Sequence, residues 1–301
     1  MRRIHRWWPI AALVAVACGG VLTPSTAAAE PIAACAPAQA TTAVPAGVPI
    51  LDWSENVGYD AQGNLWVSRL YRNEVQRYDS SGALTARVPV EYPGAVRPGP
   101  DGLLYVVYGD SPTSVLRPGG VVRFDPTAAE PKPETFASGF TMPNGAAFDQ
   151  AGNLYVAATS GVIRIRRDGV LDTEWTARAA AATVNGIVVR DRSLYLTSNG
   201  NPLGRVLRMS IDDPSDRSVV ADLSSTLPGI PDFGDDLVDR DGILYVTTIS
   251  GQLVRIDPDT NAACTVLTDQ PMTSVAAAPG HPDELLAGTE GGAILRIRLS
   301  R

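Results

Sequence analysis

The chain is 301 residues long, 45% apolar, and carries a formal net charge of −7 with Lys132 as its single lysine. This acidic balance, without a Lys/Arg block or an aromatic-basic patch, argues against binding to a nucleic-acid backbone. The 28 glycines and 24 prolines, with no long run of helix formers after the first thirty residues, argue against a helical bundle and predict a turn-rich all-β domain.

In chain order, Arg2, Arg3 and Arg6 precede an apolar run over residues 7–22, and Ala27-Ala28-Ala29 offers a small-residue cleavage site. Residues 1–29 are therefore expected to be a secretory signal peptide and the protein to be secreted. An uncleaved anchor is the weaker reading, because Gly19, Gly20 and Pro24 interrupt a segment already short for a span. A lipid anchor at Cys18 is the alternative at the cell surface, and Arg2-Arg3 alone is a weak twin-arginine signal. Beyond Ala29, two cysteines remain, Cys35 and Cys264. An even pair in an oxidising compartment predicts a disulfide, with free buried thiols as the bland alternative.

From residue 51 onward the chain repeats itself. Residues 142–158, MPNGAAFDQAGNLYVAA, read as a hairpin: two short β-compatible runs around an Asp, Gly and Asn turn. Its copies are marked by Trp66, Tyr105, Tyr155, Tyr195 and Tyr245, with Leu286 in the same place, spaced 39 to 50 residues apart. After each comes a strand alternating around a central arginine: Arg77, Arg123, Arg164, Arg208, Arg255 and Arg296. One arginine per repeat on a third strand reads as a solvated or salt-bridged face rather than a site. Segments such as 84–89, 174–177 and 263–267 are expected to add a fourth strand in the first five units. Four short strands per repeat of this length predict a β-propeller, here with six blades.

The sixth unit ends at Arg301 after its third strand, so residues 33–44 are expected to pair there and close the ring. That places Cys35 on the outer strand of the last blade and Cys264 on the outer strand of the blade before it, a separation a disulfide could span. The expected organisation is a signal peptide over 1–29, a closing segment over 30–50 and a six-bladed propeller over 51–301.

Inner strands of a propeller run side by side along the channel, so equivalent positions at their starts converge. Counting back from the aromatic, Glu55 and Asn144 lie eleven residues before Trp66 and Tyr155, and Asn185 and Asp235 lie ten before Tyr195 and Tyr245. Blade two offers only Gly94, and blade six Thr273-Ser274-Val275. Each residue alone has a bland reading as loop chemistry, since Asn-Gly and Asp-Asp are common turn dipeptides. In register, Glu55, Asn144, Asn185, Asp235 and Asp236 form an oxygen-only set that suits Ca²⁺ or another hard divalent ion. The least regular place is Gly234-Asp235-Asp236. Strict counting puts Gly234 in the slot, so a tight turn or bulge must bring Asp235 there, or Asp232 takes the role.

With these motifs, from Leu51 to about Leu299, the chain resembles the senescence-marker-protein, gluconolactonase and luciferin-regenerating family, to which paraoxonase is distantly related. The resemblance rests on Glu55, PNGAAFDQAGNLYV with Asn144, NGIVV with Asn185, and GDDLVDRDGILYV with Asp235. It implies a six-bladed propeller holding one divalent ion, commonly Ca²⁺ but also Zn²⁺, Mn²⁺ or Mg²⁺, through a Glu, two Asn and an Asp. It also implies hydrolysis of lactones or related esters. The adjacent Asp-Asn pair of paraoxonase looks like Asp235-Asp236. Gly94 departs from the pattern, leaving no side chain where some relatives place one facing the substrate.

Chemistry follows from what is missing. His5 leaves with the signal peptide and His281 sits in a turn of the last blade, so neither a Ser-His-Asp triad nor a paired-histidine base is expected in the channel. The cysteines offer no better nucleophile. A divalent ion that polarises a carbonyl and acidifies water, with Asp235 as catalytic base and Asp236 or Glu55 as alternates, is the expected machinery. The partner is then a small lactone or ester, the protein a monomer, and residues 109–118 and 197–204 are expected to roof the channel. Two other classes stay open: a secreted propeller that binds a ligand or protein without catalysis, and a strictosidine-synthase-like lyase or synthase, which would want a channel Glu and no metal cluster.

Overall fold

A computed structural model describes residues 31–200, 203–225 and 230–300. The expected signal peptide and Cys18 lie outside the described residues. The fold is a six-bladed β-propeller of five four-stranded sheets and one three-stranded sheet.

Blade one is β2 (Ser54–Tyr59), β3 (Leu65–Arg69), β4 (Glu74–Tyr78) and β5 (Leu84–Pro89). Blade two is β6 (Val96–Pro98), β7 (Leu104–Tyr108), β8 (Gly119–Phe124) and β9 (Glu134–Phe140). Blade three has β10 (Ala146–Phe148), β11 (Leu154–Ala158), β12 (Gly161–Ile165) and a helix α1 (Thr173–Arg178). Blade four is β13 (Val184–Arg190), β14 (Ser193–Ser198), β15 (Gly204–Ser210) and β16 (Arg217–Leu223). Blade five is β17 (Gly234–Arg240), β18 (Ile243–Thr248), β19 (Gln252–Asp257) and β20 (Ala262–Thr268). Blade six is β21 (Met272–Ala277), β22 (Glu284–Thr289) and β23 (Ile294–Arg298), with β1 (Gln39–Val44) as its outer strand.

The two repeated signatures lie opposite one another. Trp66 pairs with Arg77, Tyr105 with Arg123, Tyr155 with Arg164, Tyr195 with Arg208, Tyr245 with Arg255 and Leu286 with Arg296. Arg77 and Arg164 lie over the Trp66 and Trp175 rings, 5.7 and 4.9 Å from their centroids. The arginines are therefore scaffold, as their even spacing implies. The hairpin aspartates tie the same aromatics down: Trp66 Nε1 donates to Asp60 at 2.9 Å, and the hydroxyls of Tyr105 and Tyr155 donate to Asp101 at 2.8 Å and Asp149 at 3.0 Å. Packing continues between blades, with Trp66 against Phe124 at 5.3 Å and Tyr105 against Phe148 at 4.9 Å.

One expected strand is a helix. Residues 174–177 fall within α1, where Asp172 accepts from Trp175 N–H as an N-cap, Glu174 sits in the first turn and Arg178 in the last. Those ends favour a helix, and Trp175 does what a fourth strand would do: it is buried against Tyr155 at 5.3 Å and donates to Ile211 O at 2.7 Å.

The ring closes through the N-terminal segment, though differently at Cys35 from the expected placement. Before reaching β1 the chain runs alongside β20: Cys35 N–H donates to Thr265 O at 3.0 Å, Thr265 N–H to Ala33 O at 2.8 Å, and Ala38 N–H to Val266 O at 2.6 Å. It then crosses to β23, pairing Gln39 with Arg298 through Thr42 with Leu295. Cys35 thus lies beside blade five, and its disulfide to Cys264 has a Cα–Cα distance of 5.5 Å. A cross-link between residues 229 apart restricts the unfolded chain strongly. Replacing both cysteines by serine is predicted to cost about 3 kcal/mol, a fall of roughly 6 to 12 °C in calorimetric melting midpoint for a domain of this size. An unchanged midpoint would show that the strand pairing alone holds the closure.

Candidate functional site

The inner strands begin at the mouth of the channel with a shared backbone device. Tyr92, Met142 and Thr183, each two residues before Gly94, Asn144 and Asn185, have φ of 41°, 45° and 50°. Left-handed geometry costs a non-glycine residue about 1–2 kcal/mol, and such strain collects at functional sites. The slot residues themselves sit at β-bulges: the pairing register shifts at Glu55 between Ser54 and Asn56, at Asn185 between Val184 and Ile187, and at Asp235 and Asp236 between Gly234 and Leu237. The bulge carries Asp235 past Gly234 and turns its side chain toward Asn185, as bulges do.

Glycines let the blades close up at this level. A Cβ on Gly94 would meet Asn144 O at 2.8 Å, one on Gly145 would meet Asn185 O at 2.4 Å, and one on Gly186 would meet Asp235 O at 2.7 Å. Blade-to-blade backbone bonds use that proximity: Ala95 N–H to Asn144 O and Gly145 N–H to Asn185 O, both at 2.9 Å. Hydroxyls from second strands satisfy the bulged backbone, as Thr197 does for Gly186 N–H at 2.7 Å and Asp235 O at 2.9 Å. In blade six the slot is Thr273, whose hydroxyl donates to Ser54 O.

These devices bring Glu55, Asn144, Asn185 and Asp235 to the mouth, joined by a residue that the inner-strand count misses. Asn144 Nδ2 donates to Glu55 Oε1 and to Asp110 Oδ2, each at 2.8 Å. Trp53 Nε1 donates to Glu55 Oε2 at 2.6 Å, and Asn185 Nδ2 to Asp235 Oδ1 at 2.8 Å. Asp110 comes from the loop between β7 and β8, its N–H held by Tyr92 O at 3.0 Å. It supplies for blade two the carboxylate that Gly94 cannot. The available signal was that empty slot beside an acidic residue in a loop already expected to roof the channel.

Burial pushes Asp110 and Asp235 well above the ordinary carboxylate range and raises Glu55. Mutual repulsion adds to this: Glu55 acts on Asp110, and Glu55, Asp236, Asp110 and Glu290 act on Asp235. Glu55 and Asp110 are bridged by the Asn144 amide, and the two carboxyls lie close enough for Glu55 to raise Asp110.

Asp236 adjoins the mouth pairs electrostatically but bonds through one oxygen to other partners, while its Oδ1 is buried without a partner. Its Oδ2 accepts from Asn56 Nδ2 at 3.1 Å and from Arg97 Nη2 at 3.3 Å, and Arg97 Nη1 donates to Asn56 Oδ1 at 2.6 Å. Burial raises Asp236 while Arg97 pulls it down. Asp232 is occupied elsewhere, accepting from the Ser250 hydroxyl at 2.6 Å and Gln252 Nε2 at 2.8 Å, so it anchors the loop leading to Asp235. Beyond the Arg97–Asp236 pair, toward the far end of the channel, lies an apolar cavity of about 370 Å³ to which all six inner strands contribute, including Val57, Phe148, Val188 and Ala276.

The mouth residues fit a hard cation. Among the described residues no three His, Cys, Asp or Glu side chains converge closely enough to hold an ion alone, and the two asparagines complete the donor set. Asn185 Oδ1 is buried without a hydrogen-bond partner, which leaves a strong acceptor for a ligand to satisfy. The side chains bonded to one another at the mouth are carboxylates and amides, while buried Arg69 is committed to the Asp52 and Gly292 carbonyls and half-buried Arg97 to Asp236. A carboxamide turns about its terminal torsion with little resistance, so both amides can present oxygen to an ion.

Fold and site together define a propeller with an oxygen-lined acidic centre at one mouth of its channel. Solved structures share this fold. Regucalcin from Agrobacterium tumefaciens, described as a calcium-binding protein, has a TM-score of 0.68 at 15% identity, covering 89% of this chain and 98% of its own. A gluconolactonase from Xanthomonas campestris has a TM-score of 0.64 at 16% identity, covering 90% and 97%. The PQQ-bound aldose sugar dehydrogenase from Streptomyces coelicolor has a TM-score of 0.64 at 16% identity, covering 88% and 99%. No family model and no curated protein matches the chain. The same architecture hosts different chemistries, so function is argued from the site.

Proposed function

We propose that the protein is a secreted hydrolase of lactones or related esters that works with one divalent cation, Ca²⁺ or another hard ion. The observation that carries this reading is the oxygen-only set of buried Glu55 and Asp235 with half-buried Asp110, Asn144 and Asn185 at the channel mouth, with no basic side chain committed to it. Glu55, Asn144, Asn185 and Asp235 would hold the ion, and such an ion supplies polarisation of a carbonyl oxygen and a more acidic water.

The remaining work falls to the chain. Asp235 accepts the proton of the water that adds to the carbonyl carbon, and returns it to the ring oxygen as the C–O bond breaks. The product is a hydroxy acid, which ionises in solution. Trp53 orients Glu55 through its indole N–H, and Asp110 keeps Asn144 aimed between two carboxyl groups. Asp236, bound to Arg97 and Asn56, holds the bulge rather than the substrate.

The test is direct. Elemental analysis of the purified protein is expected to find one divalent ion per chain, and chelation to abolish hydrolysis of a panel of γ- and δ-lactones and aryl esters. Cation at a hundredfold excess over its dissociation constant should stabilise the fold by about 2.7 kcal/mol. A metal-free protein that melts and hydrolyses the same with and without chelator would end the proposal.

A further inference from the structure

The two ends of the propeller differ in a way that a symmetric scaffold does not require. At the far end, the turn between first and second strands carries an aspartate in every blade: Asp60, Asp101, Asp149, Asp191, Asp241 and Asp283. At the end where Glu55 and Asp235 lie, the connections carry exposed apolar side chains instead. Of the twelve exposed large apolar side chains among the described residues, eight fall in these mouth connections. They include Ile50 at 68% exposure, Tyr71, Val115, Leu116 at 87%, Ile230 and Ile249. Ile50 is also held at φ 68°, an unfavourable geometry for a β-branched residue. Single exposed apolar residues need no explanation, but a concentration at one mouth does.

From this we infer that the substrate is a lactone or ester with an apolar side chain several carbons long, not a polyhydroxylated sugar lactone. This rests on the hydrolase reading of the same site. The electrophilic carbonyl sits at the acidic floor, and the alkyl or aryl part lies against the apolar rim above it. A neutral ligand suits this rim, because an anionic lipid surface would call for a basic cluster and the mouth carries charges of both signs. The mouth connections mix Glu91, Asp269 and Glu290 with Arg72 and Arg117, so neither sign prevails there. The loop carrying Val115 and Leu116 also carries Asp110, so one segment reaches both floor and rim.

The experiment compares kcat/KM of the cation-loaded protein for δ-lactones with side chains lengthened by single methylenes, and for gluconolactone. A gain of roughly threefold to fourfold per methylene is expected until the rim is covered, with gluconolactone the poorest substrate. A Val115→Ser/Leu116→Ser double variant should cut that gain per methylene by at least half. Binding of matching alkyl-substituted δ-lactams, which resist hydrolysis, is measured in parallel by calorimetry. If nothing is hydrolysed but lactam affinity climbs with chain length, the hydrolase reading falls and the apolar ligand stands. Flat chain-length dependence in both, preference for gluconolactone, or binding to phosphatidylcholine vesicles without any chain-length dependence overturns the inference.

Discussion

An Asp235→Asn variant is expected to lose on the order of 10³-fold in kcat/KM, within the range for removing a general base, while folding normally. The amide keeps the volume and can still accept from Asn185, but it cannot take a proton. Removing a buried, repelled carboxyl should leave the metal-free fold as stable as before or more so near neutral pH, because burial and its neighbours raise Asp235 strongly. The adjacent substitution is predicted to behave oppositely. Asp236→Asn leaves the half-buried Arg97 guanidinium without its counter-charge, a loss expected near or below the lower end of the roughly 3–5 kcal/mol for a fully buried pair. Activity, metal content and melting of the two variants, measured side by side, separate a reacting aspartate from a structural one. An Asp235→Asn protein with full metal occupancy and full activity would take Asp235 out of the reaction.

The second large effect is on pH dependence. Asp110, Asp235 and Glu55 have folded pKa values raised above their unfolded ones. The sign follows: the native state of the metal-free protein holds protons that the unfolded state releases. The stability these groups contribute is complete below the ordinary carboxylate range and is lost as pH rises through their raised folded values. Each pH unit across which one such proton is retained costs about 1.4 kcal/mol. Carboxylates lowered by partners, such as Asp172 beside Arg164 and Glu284 beside Arg298, act in the opposite sense, but their change is finished by about pH 5. Above that, the mouth cluster dominates. Metal-free protein should therefore melt at progressively lower temperature from about pH 5 to pH 8. Saturating Ca²⁺ should remove that decline and release protons on binding. A metal-free midpoint that rises or stays level over this interval would show that the cluster is not electrostatically frustrated.

The fold was legible because its signals repeat. Trp66, Tyr105, Tyr155, Tyr195 and Tyr245 set the blade count, and the arginines opposite them mark the third strands. Residues 174–177 were misread because a four-residue segment has too few turns to betray its period, and the decisive feature, the Asp172 cap, lies outside it. In the site, counting from the aromatic brought Glu55, Asn144, Asn185 and Asp235 to one mouth. Asp110 escaped because it belongs to a loop whose path is set by backbone bonds to Glu91 and Tyr92 rather than by strand register. Adjacent Asp235 and Asp236 looked alike in sequence. The bulge separates them by turning one toward Asn185 and the other toward Arg97 and Asn56.

The last blade is assembled from both ends of the chain, β1 beside β23. In a chain that stops short of β21 no strand pairing can close the ring, although Glu55, Asn144, Asn185 and Asp235 are all already present. Glu55 and Asp235 belong to the first and fifth blades, and blade six, which seats Thr273 against Ser54 O, is what sets their separation. The strand at the beginning of the chain thus waits for the last strand to be made, and closing the ring is the latest pairing that the topology allows.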